Sequence, residues 1–224
     1  MPYRRYRDRA EAGRYLATEL MDYANRNDVI VLGLPRGGVP VAFEVARALG
    51  APLDVFLVRK LGLPGHEELA IGAIASGGVR ILNEAVLRQI PLDEAEIDAI
   101  AAREQAELDR REKLYRGGRP PLDPRDRVVI LVDDGLATGA SMRAAVEAVR
   151  RMGPKRVVVA VPVAARETCE DLGREVDELV CPVTPEPFYA VGLWYDDFSQ
   201  TTDEEVEALL NAARSEGGHV EVRR

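Results

Sequence analysis

Lysine is nearly missing from this chain: of its 30 basic residues only Lys60, Lys113 and Lys155 are lysine. Cysteine is scarcer still. Cys169 and Cys181 form neither a CxxC pair nor a zinc spacing, and two cysteines make no disulfide framework. Their scarcity points to a reducing, cytoplasmic setting. No stretch approaches the roughly 20 apolar residues of a membrane span, and the first 20 residues have no apolar core of signal-peptide length. A basic surplus is missing as well: the net charge of −8 lacks the footprint of a nucleic-acid binder. Aromatics make up only 5% of residues. The apolar content is largely Ala, Val and Leu, which suits strands covered by helices on both faces.

What is present is ordered as strand alternating with helix. Residues 8–26 carry apolar positions at helical spacing behind Asp8, a cap candidate. Val29–Leu34 is a short apolar run followed by Pro35-Arg36-Gly37-Gly38 and a helix over 39–49. Leu53–Val58 reads as a second strand ending on Arg59-Lys60. The Gly-rich stretch 61–78, with its Pro64-Gly65 turn signal, reads as a mobile loop leading into short strands near 70–82. The longest helical pattern covers 93–115 and is broken by Gly117-Gly118. Strands at Val128–Val132, Arg156–Val161 and Glu178–Cys181 alternate with helices over 141–152 and 165–174, and a last helix covers 203–215. No internal repeat occurs. The pattern predicts one α/β domain over 1–224, a doubly wound, mainly parallel sheet flanked by helices. Within it, 61–82 is a flexible loop region and 185–224 a C-terminal hood and tail.

Val128–Ser141 is the most informative segment. Five apolar residues end on Asp133 and Asp134, and a short loop containing Gly135, Thr138 and Gly139 opens directly into a helix. Small residues, two hydroxyls (Thr138 and Ser141) and unpaired backbone N–H groups at a helix N-terminus make an anion site. The two acids sit where open α/β sheets bind ligands. They repel phosphate, and they suit sugar hydroxyls or developing positive charge. The plain structural reading is a strand, a turn and a helix capped by Ser141. A Walker A loop requires a lysine, and none occurs between Lys113 and Lys155. A phospho-accepting receiver would need a further Asp and a Lys at later strand ends, which 160–165 and 181–184 lack.

Val132-Asp133-Asp134-Gly135-Leu136-Ala137-Thr138-Gly139-Ala140-Ser141 resembles the phosphoribosyl pyrophosphate signature of type I phosphoribosyltransferases. The resemblance implies that Asp133 and Asp134, the catalytic pair, hold the ribose 2′- and 3′-hydroxyls. Ala137, Thr138, Gly139, Ala140 and Ser141 would wrap the 5′-phosphate. Leu34–Pro40 stands where the family has a pyrophosphate loop, with Arg36, Gly37 and Gly38 as its donors, and Lys60 resembles the family's basic residue on the pyrophosphate. The 61–78 stretch is similar to the loop that closes over the substrates and excludes water; His66, Glu67 and Glu68 within it, and His219, are assigned no role. Tyr189 stands at the base-stacking place and Asp196 at the place that reads the base edge; the plain alternative for 188–196 is a core strand.

The implied reaction transfers ribose 5-phosphate from phosphoribosyl pyrophosphate to a nitrogenous base and releases pyrophosphate. Mg²⁺ would be held mainly through the substrate, with no direct protein ligand. Two departures argue against hypoxanthine, guanine or xanthine as acceptor: Ala137 replaces an acid in the phosphate loop, and 161–165 has no lysine. The rest of the chain, notably the 93–115 helix and the Gly192–Phe198 stretch, is more similar to an uncharacterised branch of the family. The alternative is a regulator that senses phosphoribosyl pyrophosphate or a nucleotide without turning it over. The expected partners are this donor and a small base-like acceptor, with no nucleic acid and no membrane; a homodimer is the family's habit.

Overall fold

The computed structural model describes residues 3–63, 66–90 and 92–217. Its centre is a five-stranded sheet in the order β2 (Leu53–Val55), β1 (Val29–Gly33), β6 (Val128–Val132), β7 (Arg156–Ala160), β8 (Glu178–Val180). Every neighbouring pair is parallel. β1 and β6 are buried at every position, which their Val, Ile and Leu content anticipates for a sheet covered on both faces. One face carries α1 (Arg9–Thr18), α2 (Gly38–Leu49), α4 (Glu94–Arg116) and α7 (Asp203–Gly217), and the other carries α5 (Ala140–Arg151) and α6 (Arg166–Gly173). No helix among the described residues is long and apolar enough to cross a membrane.

The topology fixes where a ligand can enter. From β1 the chain winds to β2 on one side, then returns to β6 on the other side of β1. The loops after β1 and β6 therefore leave in opposite senses and open a crevice at the carboxyl ends of those strands.

Two expectations need correction. The main-sheet strand ends at Val55, not on Arg59-Lys60. Phe56 donates its N–H to Gly33 O as the last bond of the parallel ladder, and Leu57 and Ser76 then exchange two hydrogen bonds, which carries the chain out of it. Val58 then opens a second, antiparallel sheet of β3 (Val58–Leu63), β4 (His66–Ala75) and β5 (Val79–Leu82). The segment 61–82, expected as a loop region with short strands near 70–82, has those strands and is paired over Leu61–Leu63 and from His66 onward as well. Its glycines serve close approach rather than turns alone: a methyl on Gly72 would overlap the Ile81 carbonyl. Pro64 and Gly65 lie outside the described residues, as does His219, and the side chains of His66, Glu67 and Glu68 are likewise outside them.

The tail also divides. Residues 188–198 lie over the crevice in irregular chain with one 3₁₀ turn, Val191–Trp194, rather than a strand. α7 instead packs Val206 and Leu210 into the main core, fully buried. A short helix, α3 (Glu84–Leu87), was not anticipated. The expected caps are present: Asp8 accepts from Glu11 N, and Asp93 and Glu96 form a reciprocal capping box before α4.

Candidate active site

Two helix N-termini meet the crevice, one from each side of the switch point. After β6 the chain places Asp133 and Asp134 at the strand end and enters α5 through its cap residue Gly139, which takes a φ of +71°. No side chain caps α5. Ser141 is thus an exposed first-turn residue and not the cap, and Thr138 Oγ1 sits at a long 3.5 Å from Ala140 N. The amides of Ser141 and Met142 have no intrahelical acceptor, as in the first turn of any helix. The loop is held from below: Leu136 donates to Val163 O, Ala165 N donates to Leu136 O, and Thr168 Oγ1 donates to Ala137 O at 2.6 Å. Ala137, Thr138, Ala140 and Ser141 stay exposed and Gly139 is buried. The result is a rigid loop presenting small residues and free N–H groups, suited to a phosphate.

After β1, Leu34 N donates to Val132 O and brings Gly37 and Gly38 across the crevice against the acids. A methyl on Gly37 would overlap Asp134 Oδ2; one on Gly38 would stand 2.7 Å from Val132 O and 3.0 Å from Asp133 Oδ1. Both glycines are needed for this closeness. The Gly38 and Val39 amides bond back to Leu34 and Arg36 carbonyls, so the amides left to meet an anion are those of Arg36 and Gly37. The Arg36 side chain reaches Asp203 at the start of α7, at 3.8 Å, where Tyr115 Oη also donates to Asp203 at 2.6 Å.

Sequence reasoning missed two residues that hold the pair. Arg9 Nε donates to Asp134 Oδ2 at 2.8 Å, with the two side chains only 12% and 15% exposed. Its Nη1 donates to Ser199 O at 2.7 Å, and its guanidinium lies 4.0 Å from the Phe198 ring centre. Tyr195, buried, donates its hydroxyl to Asp134 O at 2.6 Å. Nothing local marks Arg9, one arginine among several at the N-terminus; its partner lies 125 residues away. Tyr195 was in view as part of the tail but lies between the residues singled out there.

The electrostatics follow from this geometry. Burial, then the neighbouring Asp134 charge, push the Asp133 carboxyl well above the usual carboxylate range. Burial also raises Asp134, against the lowering effect of Arg9. Two adjacent carboxylates held this way favour hydrogen-bond donors or positive charge. Among the described residues no three His, Cys, Asp or Glu converge as a metal cage. A divalent cation here would have to bring most of its oxygen ligands on a substrate.

The remaining candidates are not gathered here. Lys60 is exposed in the middle of β3, on the second sheet, because the parallel strand stops five residues earlier; its neighbour Arg59 is engaged by Glu104 at 2.6 Å. Tyr189 is 79% exposed, and the Asp196 carboxylate pairs with Arg5 at 3.1 Å. The tail meets the crevice through Tyr195 and through Val191, which packs on Gly135.

A family model described as the phosphoribosyl transferase domain matches residues 3–188. Two proteins from strains of Mycobacterium tuberculosis, each named only provisionally as a phosphoribosyl transferase, are 48% identical over 206 residues. That alignment covers 92% of this chain and 46% of theirs, so the chain spans about half the length of those curated relatives. The bifunctional protein PyrR of Deinococcus radiodurans is 30% identical over 135 residues, 58% of this chain and 72% of that protein. The crystal structure of TT1426 from Thermus thermophilus superposes with a TM-score of 0.81 at 50% identity, covering 92% of this chain and 97% of that one.

Proposed function

The chain belongs to the phosphoribosyl transferase domain family, and on that premise we propose that it transfers ribose 5-phosphate from phosphoribosyl pyrophosphate to a nitrogenous base and releases pyrophosphate. The observation that carries the reading is the half-buried Asp133–Asp134 pair, set between the free N-terminus of α5 and the Gly37–Gly38 turn at the switch point of a parallel sheet.

In this reading Asp133 and Asp134 accept hydrogen bonds from the ribose hydroxyls, and those donors stabilise the charged forms that burial of both, and the Asp134 charge beside Asp133, disfavour. Ala137–Ser141 receive the 5′-phosphate on the α5 amides. The Arg36 and Gly37 amides receive the pyrophosphate, with the Arg36 guanidinium leaving its long 3.8 Å contact with Asp203 to join them. The acceptor nitrogen attacks C1 as the bond to pyrophosphate breaks. Pyrophosphate departs with the electron pair, and the acceptor's N–H proton passes to solvent. Mg²⁺, carried on the substrate's oxygens, would offset charge on the leaving group. Positioning and electrostatics supply most of the acceleration.

Tyr189 has free surface for stacking, whereas Asp196 must release Arg5 before it reads a base edge. That pairing favours a second reading, a protein that binds the donor without turning it over. The decisive experiment measures pyrophosphate release from phosphoribosyl pyrophosphate and Mg²⁺ across a panel of purines, pyrimidines and orotate. Release with one base is expected. Tight binding with no release for any base overturns the enzyme reading, and undiminished binding after replacing both Asp133 and Asp134 with Asn overturns the site.

A further inference from the structure

At the opposite end of the sheet lies a cavity of about 620 Å³ that shares no residue with the crevice. It sits where Arg26 and Asn27 lead into β1, where Gly50–Pro52 lead into β2, and where Arg119–Leu122 approach β6, roofed by Ala213 and Arg214 of α7. Its size falls within the roughly 300–1,000 Å³ usual for small-ligand pockets. Phe43, Ala46, Pro52, Leu53, Pro120 and Leu122 make much of its wall apolar.

The charge in that wall is one-sided. Four arginines and a single acid line it, in a chain whose net charge is −8. Three of the five charges are already answered. Arg26 makes a two-pronged contact with Asp28, Arg47 pairs with Glu44, and Asp54 is held by the buried Arg116 at 3.1 Å and by Leu122 N at 3.0 Å. The other two are not. Among the described residues Arg119 has only the neutral Asn211 Oδ1, at 2.8 Å. Arg214 has a buried Nη1 with no hydrogen-bond partner among the described residues. Burial, then the Arg119 charge, lower the Arg214 guanidinium from its ordinary value, with Asp54 acting the other way but making no hydrogen bond to it. A buried, unanswered guanidinium N–H is costly unless something accepts it.

We propose that this cavity is a second binding site, for a small organic anion with an apolar body, of the aromatic carboxylate class. The carboxylate would lie between Arg119 and Arg214, whose planar forks match its two oxygens. The ring would lie against Phe43, Pro52, Leu53 and Leu122. Inorganic phosphate has the charge and not the apolar body, and a neutral arene has the body and not the charge, so both halves of the proposal are open to test.

The probe is 2-naphthoate, titrated by calorimetry into the full chain, with 2-naphthamide and inorganic phosphate in parallel. Saturable 2-naphthoate binding is expected. 2-Naphthamide and phosphate should bind at least about tenfold more weakly, the scale of one charge-assisted hydrogen bond. Arg214→Met and Arg119→Met should each weaken 2-naphthoate by a similar factor while leaving phosphoribosyl pyrophosphate binding unchanged, since that site lies at the other end of the strands. Arg119 is exposed, so its variant decides the matter if Arg214→Met fails to fold. Absent binding, naphthamide as tight as naphthoate, or full-strength binding by the Arg119 variant overturns the proposal. This outcome is independent of the transferase reading, because it is scored by binding of a molecule that is neither donor nor acceptor.

Discussion

Two carboxylates at the end of one buried strand repel each other, and the fold answers them with one arginine from the far end of the chain. Asp133 carries the larger burden, raised by burial and then by Asp134. A carboxyl whose folded-state value lies above its unfolded value binds its proton more tightly when folded. The ligand-free chain therefore loses stability as pH rises from about 4 through that raised value. Asp133→Asn removes the loss. Its melting temperature should exceed the parent's at neutral pH, and the gap should close near pH 4. The same change should weaken phosphoribosyl pyrophosphate binding by about 10- to 100-fold, the scale of a hydrogen bond to a charged group. Melting curves across pH with calorimetric titrations check both, and equal melting at pH 7 would overturn the strain assigned to the pair. Arg9 offers a second test. With Asp134 freed from its 2.8 Å partner, Arg9→Met should shift the acid limb of donor binding toward higher pH; an unmoved limb would mean that Arg9 is structural only.

At the scale of elements, the phosphate loop depends on a helix that never touches the crevice. α6 supports it through Thr168, whose hydroxyl donates to Ala137 O and whose methyl stands 2.9 Å from where a Gly139 side chain would begin. Thr168→Val keeps the shape and loses the bond. Ala137 is exposed, so water can replace the donor, and the stability cost should stay near 1 kcal/mol or below. The loop should loosen, raising KM for the donor several-fold with a small change in kcat. Gly139→Ala is harsher, because it combines a φ of +71° with that close methyl. A cost of about 1 kcal/mol or more is expected from the backbone alone, read as a lower melting temperature together with weaker donor binding.

At the scale of the whole molecule, the inserted segment between β2 and β6 is tied to the main sheet by a buried ion pair. Arg116, at the end of α4, donates to Asp54 of β2 and to Val55 O, and both side chains are only 3% exposed. Asp54→Ala would leave the buried guanidinium with Glu112 alone, 2.9 Å from its other arm, at a cost of about 3 kcal/mol. Chemical denaturation should register that loss. A change under about 1 kcal/mol would mean that α4 and the second sheet adjust independently of β2.

The alternation of short apolar runs with helical patterns determined the parallel α/β class, because strands buried on both faces must be apolar at every position, as β1 and β6 are. The Val128–Ser141 segment was legible for a similar reason: strand, acids, loop and helix N-terminus are all local, and their chemistry needs nothing distant. Chain order alone could not divide the run 53–63 between two sheets, since the break after Phe56 depends on the hydrogen bonds between Leu57 and Ser76. Nor could it find Arg9 and Tyr195, whose only claim on the site is to stand beside Asp134 after folding. The phosphate loop was thus written in the sequence, while the partners that hold its acids, and the unanswered arginines at the other end of the sheet, were decided by tertiary structure, which brings together polar groups that the chain keeps more than sixty residues apart.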